Sequence, residues 1–93
     1  MKVFGCTMKG GYCGGVILVA ANNVEEAFLT ASKNTMIDYW FEWVDKDGGW
    51  AAPFSESATL RSDWFPFECW KEYEHLSSDY KEPTLIMAEY YAE

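Results

Sequence analysis

Basic residues are scarce in this chain. Of 93 residues only seven are Lys or Arg, against fifteen Asp or Glu, for a formal net charge of −8. The seven are Lys2, Lys9, Lys33, Lys46, Arg61, Lys71 and Lys81, too scattered to form a basic stripe. Phosphate backbones and anionic lipid headgroups are gripped by clustered cations, so direct binding to nucleic acid or to a membrane surface is not expected. Histidine occurs once, as His75, and cysteine three times, as Cys6, Cys13 and Cys69. An odd number of cysteines with no CxxC pair argues for free thiols in a reducing, cytoplasmic compartment. Lys2 leads straight into a short strand-like run, so no secretory leader is expected. Long apolar runs are also missing. The longest, residues 16–21, falls far short of the roughly 20 residues of a membrane-spanning helix.

What is present is apolar and aromatic: 49% of the chain is hydrophobic and 18% is Phe, Trp or Tyr. A chain this short forms one domain, residues 1–93, with little surface to bury. Aromatic side chains, each removing roughly 150–250 Å² from water when buried, make a core feasible without disulfides. Their abundance also allows some rings to sit on a contact face.

Patterning points to an α+β fold. Residues 1–8 read as a strand that ends at the glycine-rich loop Gly10-Gly11-Tyr12-Cys13-Gly14-Gly15. Residues 16–21 form an unbroken apolar run, the mark of a central strand covered on both faces, and the two make a hairpin. Asn23 then has the position of an N-cap, with Glu26 at capping-box spacing. Val24, Ala27, Phe28 and Ala31 fall at i, i+3, i+4 and i+7, which predicts one short helix over residues 24–33. From 35 to 45 a period of two predicts a strand, with Ile37, Tyr39, Phe41 and Trp43 on one face and Asp38, Trp40 and Glu42 on the other. Residues 46–49 form a turn and 50–54 a short returning strand, confined to an edge by Pro53. Residues 67–76 fit a helix or a strand, and aromatic density favours strand. After Pro83 a closing strand is expected. The sum is an antiparallel sheet of about four to six strands with one helix packed on a face.

No residue set carries a strong chemical signature. The glycine loop leads into a strand rather than a helix N-terminus, and its spacing is neither GxGxxG nor a P-loop. Cys6 and Cys13 are spaced too widely for a zinc pair, and Asp45-Lys46-Asp47-Gly48-Gly49 lacks the downstream ligands of a calcium loop. No cofactor, metal or catalytic residue is therefore assigned. A thiol nucleophile at Cys13 served by His75 has the right residue types without a local motif.

The acidic charge is uneven. Residues 1–55 hold six acids and four bases, residues 56–93 nine acids and three bases. Within the second part, Glu68, Glu72, Glu74, Asp79 and Glu82 are interleaved with Trp70 and Tyr80. With Tyr12 at the tip of the glycine loop, these residues form the candidate partner-binding set, an aromatic centre ringed by carboxylates that suits a basic protein surface.

The segments Gly-Gly-Tyr-Cys-Gly-Gly (10–15), Val-Ala-Ala-Asn-Asn-Val-Glu-Glu-Ala (19–27) and Pro-Thr-Leu-Ile-Met-Ala-Glu-Tyr-Tyr (83–91) resemble small proteins of bacteriophages and gut-bacterial mobile elements. In size and acidity the chain is also similar to anti-CRISPR inhibitors. Those inhibitors share no common sequence, so the likeness is one of style. The resemblance implies an inhibitor or nucleic-acid mimic that occupies a basic surface of a host complex. The alternative is a small ligand-binding protein or thiol-dependent enzyme built on the Cys13 loop. The oligomeric state is open, a dimer included.

Overall fold

The computed structural model describes residues 1–7 and 14–91. Strands β1 (Lys2–Thr7) and β2 (Gly14–Ala21) pair antiparallel, followed by helix α1 (Val24–Ser32). Two short strands, β3 (Glu42–Val44) and β4 (Thr59–Arg61), make a separate antiparallel ladder. Strands β5 (Lys71–Ser77) and β6 (Thr84–Tyr91) join the first pair in a four-stranded sheet of order β5-β1-β2-β6, every neighbour antiparallel. The expected α+β architecture is observed, with one helix and the apolar run 16–21 in an interior strand. Residues 10–13 of the glycine loop, Tyr12 and Cys13 among them, lie outside the described residues, and Gly14 and Gly15 open β2.

Alternation along the strands sorts the sheet into two faces. Phe4 and Cys6 of β1, Ile17, Val19 and Ala21 of β2, and Leu85 and Ala88 of β6 point to the core beneath α1. From the helix come Ala27, Phe28 and Ala31, with Val24 beside them, as the 3.6-residue spacing requires. Among the described residues the opposite face carries no helix. Val3 and Ala20 are buried there, but Val16 and Leu18 are only half-buried, so β2 is packed fully on one side.

The helix start follows from its sequence. Asn23 has extended backbone, and its side-chain oxygen accepts from Glu26 N at 2.8 Å. The Glu26 carboxylate returns to Asn22, accepting from both its backbone N and its Nδ2 at 3.0 Å. The reciprocal bond of the capping box thus lands one residue earlier than the usual pattern. Glu25 and Glu26 also place negative charge at the positive end of the helix dipole. Asn23→Ala should cost about 1 kcal/mol, measured by denaturant unfolding.

The predicted strand over 35–45 is corrected. Asn34 accepts Met36 N on its side chain at 2.9 Å and Ile37 N on its carbonyl at 3.1 Å, carrying the chain onward in tight turns. A single 3₁₀ turn, Asp38–Trp40, follows, and only Glu42–Val44 is strand. The buried residues are Ile37, Trp40, Phe41 and Val44, a helix-like spacing, while Tyr39 turns outward. Trp40 goes inside because Phe65, from a distant segment, stacks on it at 5.2 Å. The expected strand over 50–54 reduces to one bridge between Trp50 and Val44. Residues 67–76 begin as a 3₁₀ turn, Phe67–Cys69, and continue as β5.

Candidate functional site

Of the sequence-predicted contact residues that are described, Trp70 is buried and the others are exposed on the turn before β5, along β5 and on the connection after it. Trp70 lies in the core, its ring edge-to-face with Phe28 at 5.6 Å and its Nε1 donating to Phe65 O at 2.9 Å. This corrects the expectation of a contact residue there: a buried indole needs an acceptor for its N–H, and Phe65 O supplies it. Glu68 is exposed on the 3₁₀ turn that precedes β5, and Glu72 and Glu74 are exposed along that edge strand, with Glu72 3.8 Å from Lys2 Nζ. Asp79, Tyr80 and Glu82 are exposed on the connection that carries the chain from β5 to β6. Those two strands form opposite edges of the sheet. Glu82 accordingly lines a depression with α1 rather than with the β5 acids. Closeness in sequence is undone by the crossing from one edge to the other.

The thiols have unequal environments. Cys6 is fully buried, and its Sγ donates to Thr7 O at 3.3 Å. Burial, then the nearby Cys69 thiol and the Glu68 carboxylate, push its pKa up to about 12, far from a nucleophile's range. Cys69 is exposed. An alkylating reagent should therefore modify Cys69 in the folded protein and reach Cys6 only on unfolding, which peptide mapping after labelling checks. A thiol pKa raised by folding also fixes the sign of a pH effect. The contribution of Cys6 to stability is complete below about pH 9 and is lost as pH rises from there toward about 12. His75 is exposed on β5 against Tyr73, with ring centroids 6.1 Å apart. Among the described residues no group of three His, Cys, Asp or Glu is placed to hold a metal ion.

An aromatic surface lies between residues 33 and 64. Two depressions adjoin at Tyr39 and Phe41. The first, about 240 Å³, is lined by Tyr39, Trp40, Phe41, Glu42, Asp63 and Trp64. The second adds Asp38, Trp43, Pro53 and Leu60. Rings run along both: Tyr39 to Trp40 at 5.6 Å, Trp40 to Trp64 at 6.5 Å, and Trp43 to Phe54 at 4.7 Å. Tyr39 is 71% exposed, Phe54 63% and Trp64 42%, with Trp50 at 81% on the neighbouring turn. Carboxylates flank them, and Glu42 is paired with Arg61 across the β3–β4 ladder.

Local backbone explains why these rings face out. Asp45 Oδ1 accepts from Asp47 N at 2.8 Å and Gly49 N at 3.0 Å, and Gly48 has φ +85°. That tight turn delivers Trp50 to solvent. Ser55 N then donates to Ala52 O at 3.1 Å, closing a turn with Pro53 second and Phe54 third. Phe54 has φ +61°, as at the third position of a type II turn, where Gly or Asn ordinarily sits. A phenylalanine held there is strained. Its ring rests on Trp43, with Lys33 Nζ 5.6 Å from its centroid.

Sequence patterning sends most aromatics of this segment inward or into strands. A usable contrary signal is present, since Trp50 follows Gly48-Gly49 and Phe54 follows Pro53, and large rings in turn-forming positions have no strand face to pack on. Fold and surface together define a small α+β protein with an exposed aromatic face edged by carboxylates. No family model, curated protein or solved structure matches the chain. Among the described residues no helix is long and apolar enough to cross a membrane.

Proposed function

We propose that this chain is a protein-binding module that docks its exposed aromatic face, Tyr39, Trp50, Phe54 and Trp64, on a partner with a basic surface. One observation carries the reading: four large aromatic residues are left 42–81% exposed on a chain of net charge −8, one of them held in a strained backbone that glycine would relieve. Exposed aromatic clusters of this kind mark contact sites, because Trp and Tyr dominate binding energy where water is excluded. Surrounding carboxylates steer a basic partner and suppress acidic ones. Such a module acts by occupying its partner's surface, the manner of a phage-encoded inhibitor or nucleic-acid mimic of a cytoplasmic host complex. The acids of β5 and of the β5–β6 connection extend the negative field without forming the contact itself.

The test separates binding from folding. Phe54→Gly should leave stability unchanged or raise it by up to about 1 kcal/mol, since strain is relieved while a solvent-exposed ring is lost. The same change with Trp50→Ala should weaken partner binding by about 2 kcal/mol or more. The measurements are thermal unfolding of each variant, capture from a bacterial lysate at low and high salt, and binding kinetics with the purified captured protein. Undiminished capture by a folded double variant would remove the aromatic face from the contact.

A further inference from the structure

The four-stranded sheet has two unequal edges. On one side, β5 carries Lys71, Glu72, Glu74 and His75 within its seven residues. Charges placed like this keep foreign strands off an edge. On the other side, β6 is eight residues long, and Thr84 to Ala88 hold no charge. A bulge in the pairing with Leu18 and Val19 adds twist there. Its extra residue is Ile86, 38% exposed, where a protected edge would show a charge. Among the described residues, Thr84 to Ala88 form backbone hydrogen bonds only within the ladder to β2, so their outward N–H and C=O groups face no strand.

The ground beside this edge is open. Two depressions follow β6 on its helix side, one against α1 and one against the residues after it, and they meet at Asn34 and Leu85. The second is lined by Met36, which is 80% exposed, and by Ile86. An unpaired backbone row beside a furrow with room for side chains is the geometry that accepts an added strand.

Charge decides which strand. Acids elsewhere on the chain suit a basic partner, but Thr84 to Ala88 offer such a partner no ion pair. The matching uncharged strand is the same segment of a second copy. Antiparallel pairing about a two-fold axis at Ile86 or Met87 sets Glu89 opposite Pro83 or Leu85 of the other copy, so no acid faces an acid. A parallel pairing would set Glu89 on Glu89. The two-fold axis, normal to the sheet, also places both helices on one side and Met36 of each copy beside the seam. We infer that β6 pairs antiparallel with β6 of a second copy, joining two four-stranded sheets into one of eight strands and covering Ile86 and Met36. This contact is separate from the aromatic face and goes beyond the protein-binding reading.

The test is sedimentation velocity of the full chain over about a hundredfold range of concentration, with amide exchange measured at both ends of the range. A reversible dimer is expected, and exchange at alternate residues from Thr84 to Ala88 should slow as concentration rises. Each copy carries a net charge of −8, so added salt should strengthen the dimer by screening their repulsion. That is the opposite of its effect on capture of a basic partner. Ile86→Lys should weaken self-association about tenfold or more. Met36→Glu, outside every strand, should weaken it as well, and it decides the matter should Ile86→Lys fail to fold. A chain that stays monomeric at every concentration and salt would overturn the pairing. So would a dimer whose slowed amides lie elsewhere, or a folded Ile86→Lys variant that dimerises as well as the parent. If β6 amides slow only when the captured partner protein is added, the edge takes a partner strand and the self-pairing falls. The aromatic-face reading is decided separately, by Phe54→Gly with Trp50→Ala.

Discussion

Truncating Phe28 to alanine should remove about 3–5 kcal/mol of folding stability, the largest loss expected for any single side chain of this fold. Phe28 stands where three parts of the chain meet. Its ring lies edge-to-face with Phe41 at 5.2 Å, Phe67 at 5.2 Å and Trp70 at 5.6 Å, and it projects from α1 onto the sheet. Each pair adds about 0.5–1.5 kcal/mol beyond the area it buries. Removing the ring leaves a void lined by residues anchored in separate segments, so the site cannot collapse to fill it. For a domain of this size the loss corresponds to a fall in Tm of about 12 °C or more. Phe28→Leu serves as the comparison, since it retains most of the volume but none of the ring geometry. Calorimetric unfolding of both variants is the measurement, and a loss below about 1 kcal/mol for Phe28→Ala would remove Phe28 from the centre of the core.

The core-facing position of Phe28 is legible in the sequence, and the reason is local. A capping asparagine, a glutamate three residues on, and apolar residues at helical spacing all act within nine residues, so nothing distant needs to be known. The apolar run of β2 is legible for a similar reason, because a strand with so few polar side chains has no stable place at a sheet edge. Between residues 35 and 45 the local signals conflict. Ile37, Tyr39, Phe41 and Trp43 satisfy a period of two, while Ile37, Trp40, Phe41 and Val44 satisfy a helix-like period. Both sets are equally apolar, so hydrophobicity cannot choose between them. Phe65 makes the choice by stacking on Trp40 from 25 residues away in the chain, and periodicity holds no information about that contact.

The proposed contact surface is harder still to read, and charge is a poor guide to it. Acids crowded between residues 68 and 82 resemble a patch in the linear sequence, yet they lie along one sheet edge and across a connection to the other. A patch is a property of tertiary neighbours, and only β5 among these segments is regular enough for spacing to imply adjacency. The aromatic face has the opposite character. Tyr39, Phe54 and Trp64 are dispersed in sequence and line or adjoin two neighbouring depressions, while a tight turn delivers Trp50 to solvent nearby in the chain. Composition alone assigns such rings to the core. They are displaced from it because Phe28, Trp40, Phe65 and Trp70 fill the available volume.

Gly5→Ala should destabilise the protein by about 3 kcal/mol, at the upper end of the usual cost of overpacking. Gly5 is buried in β1 on the sheet face opposite the helix, paired with Leu18 of β2. A Cβ at this position would lie 2.5 Å from Ile17 O, 2.7 Å from Leu18 Cδ2 and 2.7 Å from Tyr73 Cε2. The side-chain contacts could yield, since Leu18 and Tyr73 are only half-buried. The carbonyl cannot, because it belongs to an interior strand hydrogen-bonded into the ladder on both sides. Relief would require β1 and β2 to move apart, weakening the pairing that holds the sheet's centre. A double-mutant cycle with Tyr73→Ala separates the two sources of strain. Deleting the Tyr73 ring in the Gly5→Ala background should recover only the smaller part of the loss, leaving the carbonyl clash in place. Full recovery in the double variant would show that Gly5 serves only to let Tyr73 lie across the sheet, with no constraint from the backbone of β2.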